Sequence, residues 1–204
     1  MHGMTTKPKL SKKTILLLLI ALGYNFLVYY AGRLLAQGRI HHDITTAIDR
    51  KIPFLPCLSW IYWACYLFWA INYYICINED KSKPNRFLKA HFIGETICFL
   101  VFVLYPTALV RPEVTGHSIF DVILKITYAV DEPNNLLPSI HCFVSWLSWV
   151  GVRRHPIVPR WYQIVSLACA LAVCICVVTI RQHLILDVIT GVLLAEVSYL
   201  LAPK

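Results

Sequence analysis

The stretch Thr179-Ile180-Arg181-Gln182-His183-Leu184-Ile185-Leu186-Asp187 closes one long apolar run and opens another. A cation, an imidazole and a carboxylate stand together there in a chain that otherwise avoids charge. Only 15% of the 204 residues are charged, 58% are hydrophobic, and the mean hydropathy is +0.61. A soluble domain of this length is less apolar, so the composition points to a membrane protein. Each helical span takes roughly 20 residues, which leaves little chain outside the bilayer. The expected fold is all-α and integral to the membrane: one domain over 1–204, a six-transmembrane helix bundle with short interfacial helices.

Outward from that corner, the runs 161–178 and 182–201 read as the fifth and sixth spans. The others are 14–35, 57–77, 90–110 and 138–152, the last beginning at Pro138, a residue suited to a helix's first turn. The first could serve as a signal peptide, but no convincing cleavage site follows it, and it reads as a retained span. Between spans one and two, Ile44, Ile48 and Ile52 recur at four-residue spacing with Asp43, Asp49 and Arg50 among them. That pattern predicts a short helix lying on the membrane surface. Ser118 is placed to cap another short helix from Ile119 to about Tyr128, and residues 131–135 read as a turn.

The net charge of +8 does not indicate nucleic acid, because the basic residues sit in short segments between apolar runs and no nucleic-acid motif is present. With the N-terminus inside, Lys7, Lys9, Lys12, Lys13, Lys81, Lys83, Arg86, Lys89, Arg153, Arg154, Arg160 and Lys204 fall on the inner side. Fewer basic residues fall outside, so both termini are expected in the cytoplasm and the protein in the cell (inner) membrane. The eight cysteines all lie within or at the edge of apolar runs and behave as small hydrophobes. Their spacing suggests neither a zinc site nor a disulfide framework.

This topology brings Arg111, Ser139, His141, Arg181, His183 and Asp187 to the outer face. Ionisable residues at a membrane boundary are costly and tend to be functional. His183 and Asp187 are four apart, so on a helix they share a face. Asp187 can fix the tautomer of His183 and leave the other ring nitrogen free to attack. His141 is then the candidate general acid. Ser139 and the free N–H groups after Pro138 form a candidate anion cradle. Arg111 and Arg181 are candidate clamps for phosphoryl oxygens. Plainer readings exist for each: a local His–Asp hydrogen bond, a Pro-Ser helix cap, arginines snorkelling to the interface, or a metal site from His141, His183 and Asp187. The four histidines His41, His42, His117 and His155 read as solvated or interfacial.

Taken together, Arg111-Pro112, Pro138-Ser139-Ile140-His141 and His183 with Asp187 resemble the three signatures of the type-2 phosphatidic acid phosphatase superfamily. The motifs cover about 105–191, and the region 89–202 corresponds to a catalytic core. The resemblance implies phosphoryl transfer through a phosphorylated His183, with Asp187 as its partner and His141 as acid. It implies phosphate binding by Arg111, Ser139 and Arg181, and no metal or other cofactor. The implied substrate is a lipid phosphate or phospholipid met in the bilayer at the outer face. Leu104 stands where the common first signature has lysine, Ile140 where the second has glycine, and Arg181 lies two residues before His183. These features are closer to the inositol phosphorylceramide synthase branch, and more distantly to sphingomyelin synthases. Two alternatives to hydrolysis follow: headgroup transfer between lipids, and a non-catalytic lipid-binding or scaffold protein.

Overall fold

The computed structural model describes residues 11–78, 85–153 and 155–203. Lys7, Lys9, Lys81, Lys83, Arg154 and Lys204, assigned above to the inner side, lie outside them. The described chain is helical, without strands: α1 (Lys12–Ala36), α2 (Ser59–Ile77), α3 (Arg86–Leu104), α4 (Ile119–Val130), α5 (Ile140–Arg153), α6 (Arg160–Thr179) and α7 (Ile185–Leu201). Four helices are long and apolar enough to cross a membrane: α1, α2 with the turn from Pro56 that precedes it, α3 and α6. The helices α5 and α7 are shorter, at 14 and 17 residues.

Local chemistry sets the helix starts. Ser11 accepts the N–H of Thr14 at 3.1 Å, and Asn85 accepts that of Leu88 at 3.1 Å. At α4, Ser118 and Asp121 cap each other reciprocally, which satisfies two donors that a helix start leaves open. This helix begins where the sequence predicts. The helix expected for the last span does not: α7 starts at Ile185, so His183 lies before the helix and not in its first turn. The run expected as the fourth span likewise becomes helical only at Ile140, with Pro138 outside it.

The surface helix expected over Ile44, Ile48 and Ile52 is absent. The segment is irregular apart from a 3₁₀ turn at Asp49–Lys51. Side chains have taken the backbone donors that a helix would use. The Asp43 carboxylate accepts the Thr45 N–H at 2.9 Å, and Asp49 accepts the Thr46 N–H at 2.8 Å. Ile44 instead packs on Leu109, Leu136 and Leu184.

The core is centred on α5, whose Phe143, Leu147, Val150 and Val152 are fully buried. It packs against α2, α3, α6 and α7, while α1 lies against α3. Two glycines permit the closest approaches. A Cβ on Gly94 would overlap the Phe143 ring, and one on Gly191 would stand 2.6 Å from the Ser139 carbonyl oxygen. The second contact seats α7 against the start of α5, where the candidate residues lie. At that same end α1, α3 and α6 finish while α2, α5 and α7 begin, and the loops interlock across it. His42 N–H donates to Pro106 O at 2.9 Å, Leu55 N–H to Thr179 O at 3.0 Å, and Leu109 N–H to Pro133 O at 3.2 Å.

Candidate active site

The corner between α6 and α7 is built by a left-handed residue. Helix α6 ends with Gln182 N–H bonded to Val177 O at 2.9 Å and Arg181 N–H to Val178 O at 3.3 Å. This is a Schellman closure, with Arg181 at φ 56° in the position that glycine usually fills. A non-glycine residue there is strained, and its side chain supplies the restraint. The guanidinium donates to the carbonyls of Asp49 and Ile52 at 2.5 and 2.6 Å.

Asp49 reciprocates. Its Oδ1 accepts the Ile185 N–H at 2.8 Å, capping α7 from a loop 136 residues earlier in the chain. The second cap comes from Asp187, whose Oδ2 accepts the Leu184 N–H at 2.8 Å. Burial alone would raise the Asp49 carboxyl. The N–H of Ile185 and the Thr46 donors outweigh it and hold the group below its ordinary 3.8.

These anchors place His183 with its Nδ1 3.4 Å from Asp187 Oδ2. That is long for a hydrogen bond. His183 and Asp187 are both buried. The ring centroids of His183 and His141 lie 5.9 Å apart. Tyr62 packs on His141 at 4.4 Å between centroids and donates its hydroxyl to Asp131, which also accepts from Tyr29 at 2.6 Å.

Ser139 is fully buried with both its groups engaged. Its N–H donates to Asp187 O at 3.0 Å, and its hydroxyl accepts the Cys142 N–H at 3.3 Å. It therefore locks α5 to α7 and does not present an open cradle. Arg111 reaches the site from the far side. It donates to Asp131 O at 2.6 Å and to Gln182 Oε1, and it covers the Tyr128 ring at 4.5 Å. Burial pushes this guanidinium downward, and the Asp131 carboxylate opposes that shift. Arg181 is tied to the 49–52 turn and makes no contact with His141 or His183.

Between the two histidines is a crevice of about 20 Å³, walled in part by Asp131, Asn135, His141, Gln182 and His183. Several buried polar atoms of its walls lack any partner: His141 Nε2, Gln182 Nε2, both side-chain atoms of Asn135, and Asn134 Oδ1. Buried polar groups are nearly always satisfied, so several orphaned atoms carried by residues around one crevice mark it as a candidate place for a polar guest. The volume holds one water and no more. Asn135 is itself left-handed at φ 54°, a conformation that asparagine tolerates better than most residues.

Sequence reasoning missed Gln182, Asn135, Asp131 and Tyr62 as members of this site. Gln182 is adjacent to His183, which is a usable signal. Asn135 and Asp131 read only as turn residues, and Tyr62 only as one aromatic among many. Among the described residues no three His, Cys, Asp or Glu side chains group as a metal-ligand set. His155, expected to be solvated or interfacial, is buried, and its Nδ1 accepts the Ile157 N–H at 3.3 Å. No protein-family model, curated protein or solved structure matches the chain.

Proposed function

We propose that the chain is a six-span membrane enzyme that transfers a phosphoryl group from a lipid phosphate ester through a phosphorylated His183. The observation that carries this reading is the set of orphaned polar atoms between His141 and His183. In the proposed topology both termini face the cytoplasm and the crevice opens to the outer face. This agrees with Lys12, Lys13, Arg86, Lys89, Arg153 and Arg160 lying at the opposite end of the bundle. The type-2 phosphatidic acid phosphatase superfamily remains the resemblance that fits these residues.

The chemistry proceeds in two displacements. With Nδ1–H directed to Asp187, His183 Nε2 carries the lone pair that attacks phosphorus. The phosphorus–oxygen bond to the leaving group breaks, and His141 gives that oxygen a proton. A hydroxyl, from water or a lipid alcohol, then attacks phosphorus, and the phosphorus–nitrogen bond breaks with its electron pair returning to His183 Nε2. His141 takes its proton, and His183 is restored. Gln182 Nε2 and Asn135 Nδ2 are donors for the phosphoryl oxygens. A phosphoryl group exceeds the present crevice, so its entry shifts the Asn135 and His141 side chains.

Headgroup transfer is the second reading, and the site's charge favours it. Arg181 is committed to carbonyls, Arg111 stands beside the Asp131 carboxylate, and Arg33 is paired with Glu132. Little net positive charge remains for a dianionic phosphomonoester, whereas a monoanionic diester needs less. The test incubates the purified protein with headgroup-labelled phospholipid and with labelled phosphatidic acid, each with and without a lipid alcohol. Turnover of either lipid that His183→Ala lowers at least ~10³-fold is expected. Full activity of that variant overturns the mechanism. Label released at an unchanged rate, with no new lipid product, selects hydrolysis.

A further inference from the structure

We propose that the seam between α1 and α2 is the acyl-chain groove of the lipid substrate, running from His141 down through the outer two-thirds of the bilayer. The proposal rests on the phosphoryl-transfer reading for the identity of the headgroup end. Two cavities carry it. The upper, about 440 Å³, is bounded by Tyr29, Tyr62, Trp63, Asp131, Ile140 and His141 among others. The lower, about 290 Å³, is bounded by Leu18, Leu22, Ala70, Tyr73 and Val144 among others. Asn25, Phe26, Tyr66 and Trp69 line both, so the two are successive parts of one groove.

The direction of the groove follows from the helices. From Tyr30 to Leu18, α1 descends about 18 Å, the length of a saturated chain of roughly fourteen carbons. Its polar end is the end that shares His141 with the crevice. Its deep end is aliphatic and aromatic.

The walls are apolar although many of the residues are not, because their polar tips are turned into the protein. Asn25 donates to Glu95 at 2.7 Å, Trp69 to Ser145 at 2.8 Å and Trp63 to Thr127 at 2.9 Å. The Tyr73 hydroxyl is 2.8 Å from His91 Nδ1, whose other nitrogen lies 3.2 Å from Ala21 O. Ring faces and methylenes are what remain for a guest. A sugar or nucleotide would find few partners there, whereas a hydrocarbon chain requires none. The seam is also open sideways: Leu19, Leu22 and Phe26 are 60%, 44% and 44% exposed. A chain enters from the bilayer without leaving it.

The experiment uses the full chain in lipid nanodiscs and a phosphatidic acid analogue with a diazirine near the end of one acyl chain. Illumination is expected to label residues 18–26 and 66–73. Ala70→Phe fills the lower cavity and is expected to reduce that labelling about tenfold, the loss of some two buried methylenes. Leu22→Trp, on the opposite wall, serves if the first variant does not fold. Label spread over the outward faces of α6 and α7, such as Ile175 and Ile189, and insensitive to either variant, overturns the groove. So does label from the acyl-end diazirine that is confined to the upper chamber, which would leave the lower cavity outside the groove. His183→Ala separates the two proposals. Retained seam label with lost turnover supports both. Seam label with undiminished turnover leaves the groove standing and removes the phosphohistidine. Scattered label with lost turnover does the reverse.

Discussion

Two basic corners join neighbouring helices at opposite ends of the bundle, and they differ in what their polar atoms do. At the 153–160 corner, Arg153 meets Glu196 at 2.6 Å and lies over the Trp149 ring at 4.2 Å, and both charged side chains are part-exposed. Its charges are paired at the surface, as interfacial anchors are. At the 179–187 corner Thr179, Gln182, His183 and Asp187 are buried, and Gln182 Nε2 and Asp187 Oδ1 have no partner. Burial without satisfaction costs free energy, and a fold keeps it where a guest completes the bonds. The contrast locates function better than charge alone does, because both corners carry arginine.

The largest break in this comparison comes from the two arginines near the site. Arg111→Ala is expected to lower kcat/KM by ~10²-fold or more, since it removes the guanidinium that holds Gln182 and the Asp131 carbonyl at the crevice wall. Arg181→Ala should act chiefly on stability, measured as the thermal midpoint in detergent. It removes two charge-assisted bonds, worth about 1.5–3 kcal/mol each at most, and leaves a left-handed residue unrestrained. A larger kinetic loss in Arg181→Ala than in Arg111→Ala would reverse the assignment.

Next in size is Gly191→Ala. The added methyl meets backbone 2.6 Å away, so α7 must move off the start of α5. A cost of about 1–3 kcal/mol is expected, together with reduced turnover. An unchanged midpoint would show that α7 does not need this close approach to seat on α5.

A smaller effect concerns acid. The folded Asp49 carboxyl titrates below its ordinary 3.8, so the stability it adds is fully present above that value. That stability is lost as pH falls through the depressed one. Asp49→Asn should lower the midpoint at pH 7 and flatten its fall below about pH 4, followed by circular dichroism against pH. The smallest change expected is at the comparison corner. Arg153→Ala should cost less than ~1 kcal/mol and leave turnover near that of the parent.

How much was legible in the sequence depended on how local the cause was. The start of α4 was readable because Ser118 and Asp121 cap each other within four residues. The membrane character and the pairing of His183 with Asp187 were readable for similar reasons. The 36–56 segment misled because isoleucine spacing is a weak signal when Asp43 and Asp49 can seize nearby N–H groups. Arg181 misled because its role depends on a turn 132 residues away and on a left-handed backbone that glycine would normally mark. Ser139 reads from the sequence as part of an anion cradle, whereas its hydroxyl accepts the Cys142 N–H at the start of α5. The groove beside α1 had no sequence signature, since its apolar walls arise from hydrogen bonds between helices.

The strap from Arg181 to the 49–52 turn also sets an order of events during synthesis. Asp49 emerges 132 residues before the arginine that holds it. At ~5–20 residues per second, that separation is roughly 7–26 seconds. Throughout that interval the loop between α1 and α2 lacks both the helix start its carboxylate caps and the guanidinium its carbonyls accept. The loop becomes fixed only when the final hairpin arrives, and the same docking event orients His183. A ribosome that stops before that hairpin thus leaves behind a bundle whose 49–52 turn has lost its restraint and whose corner is unmade, which a protease can recognise.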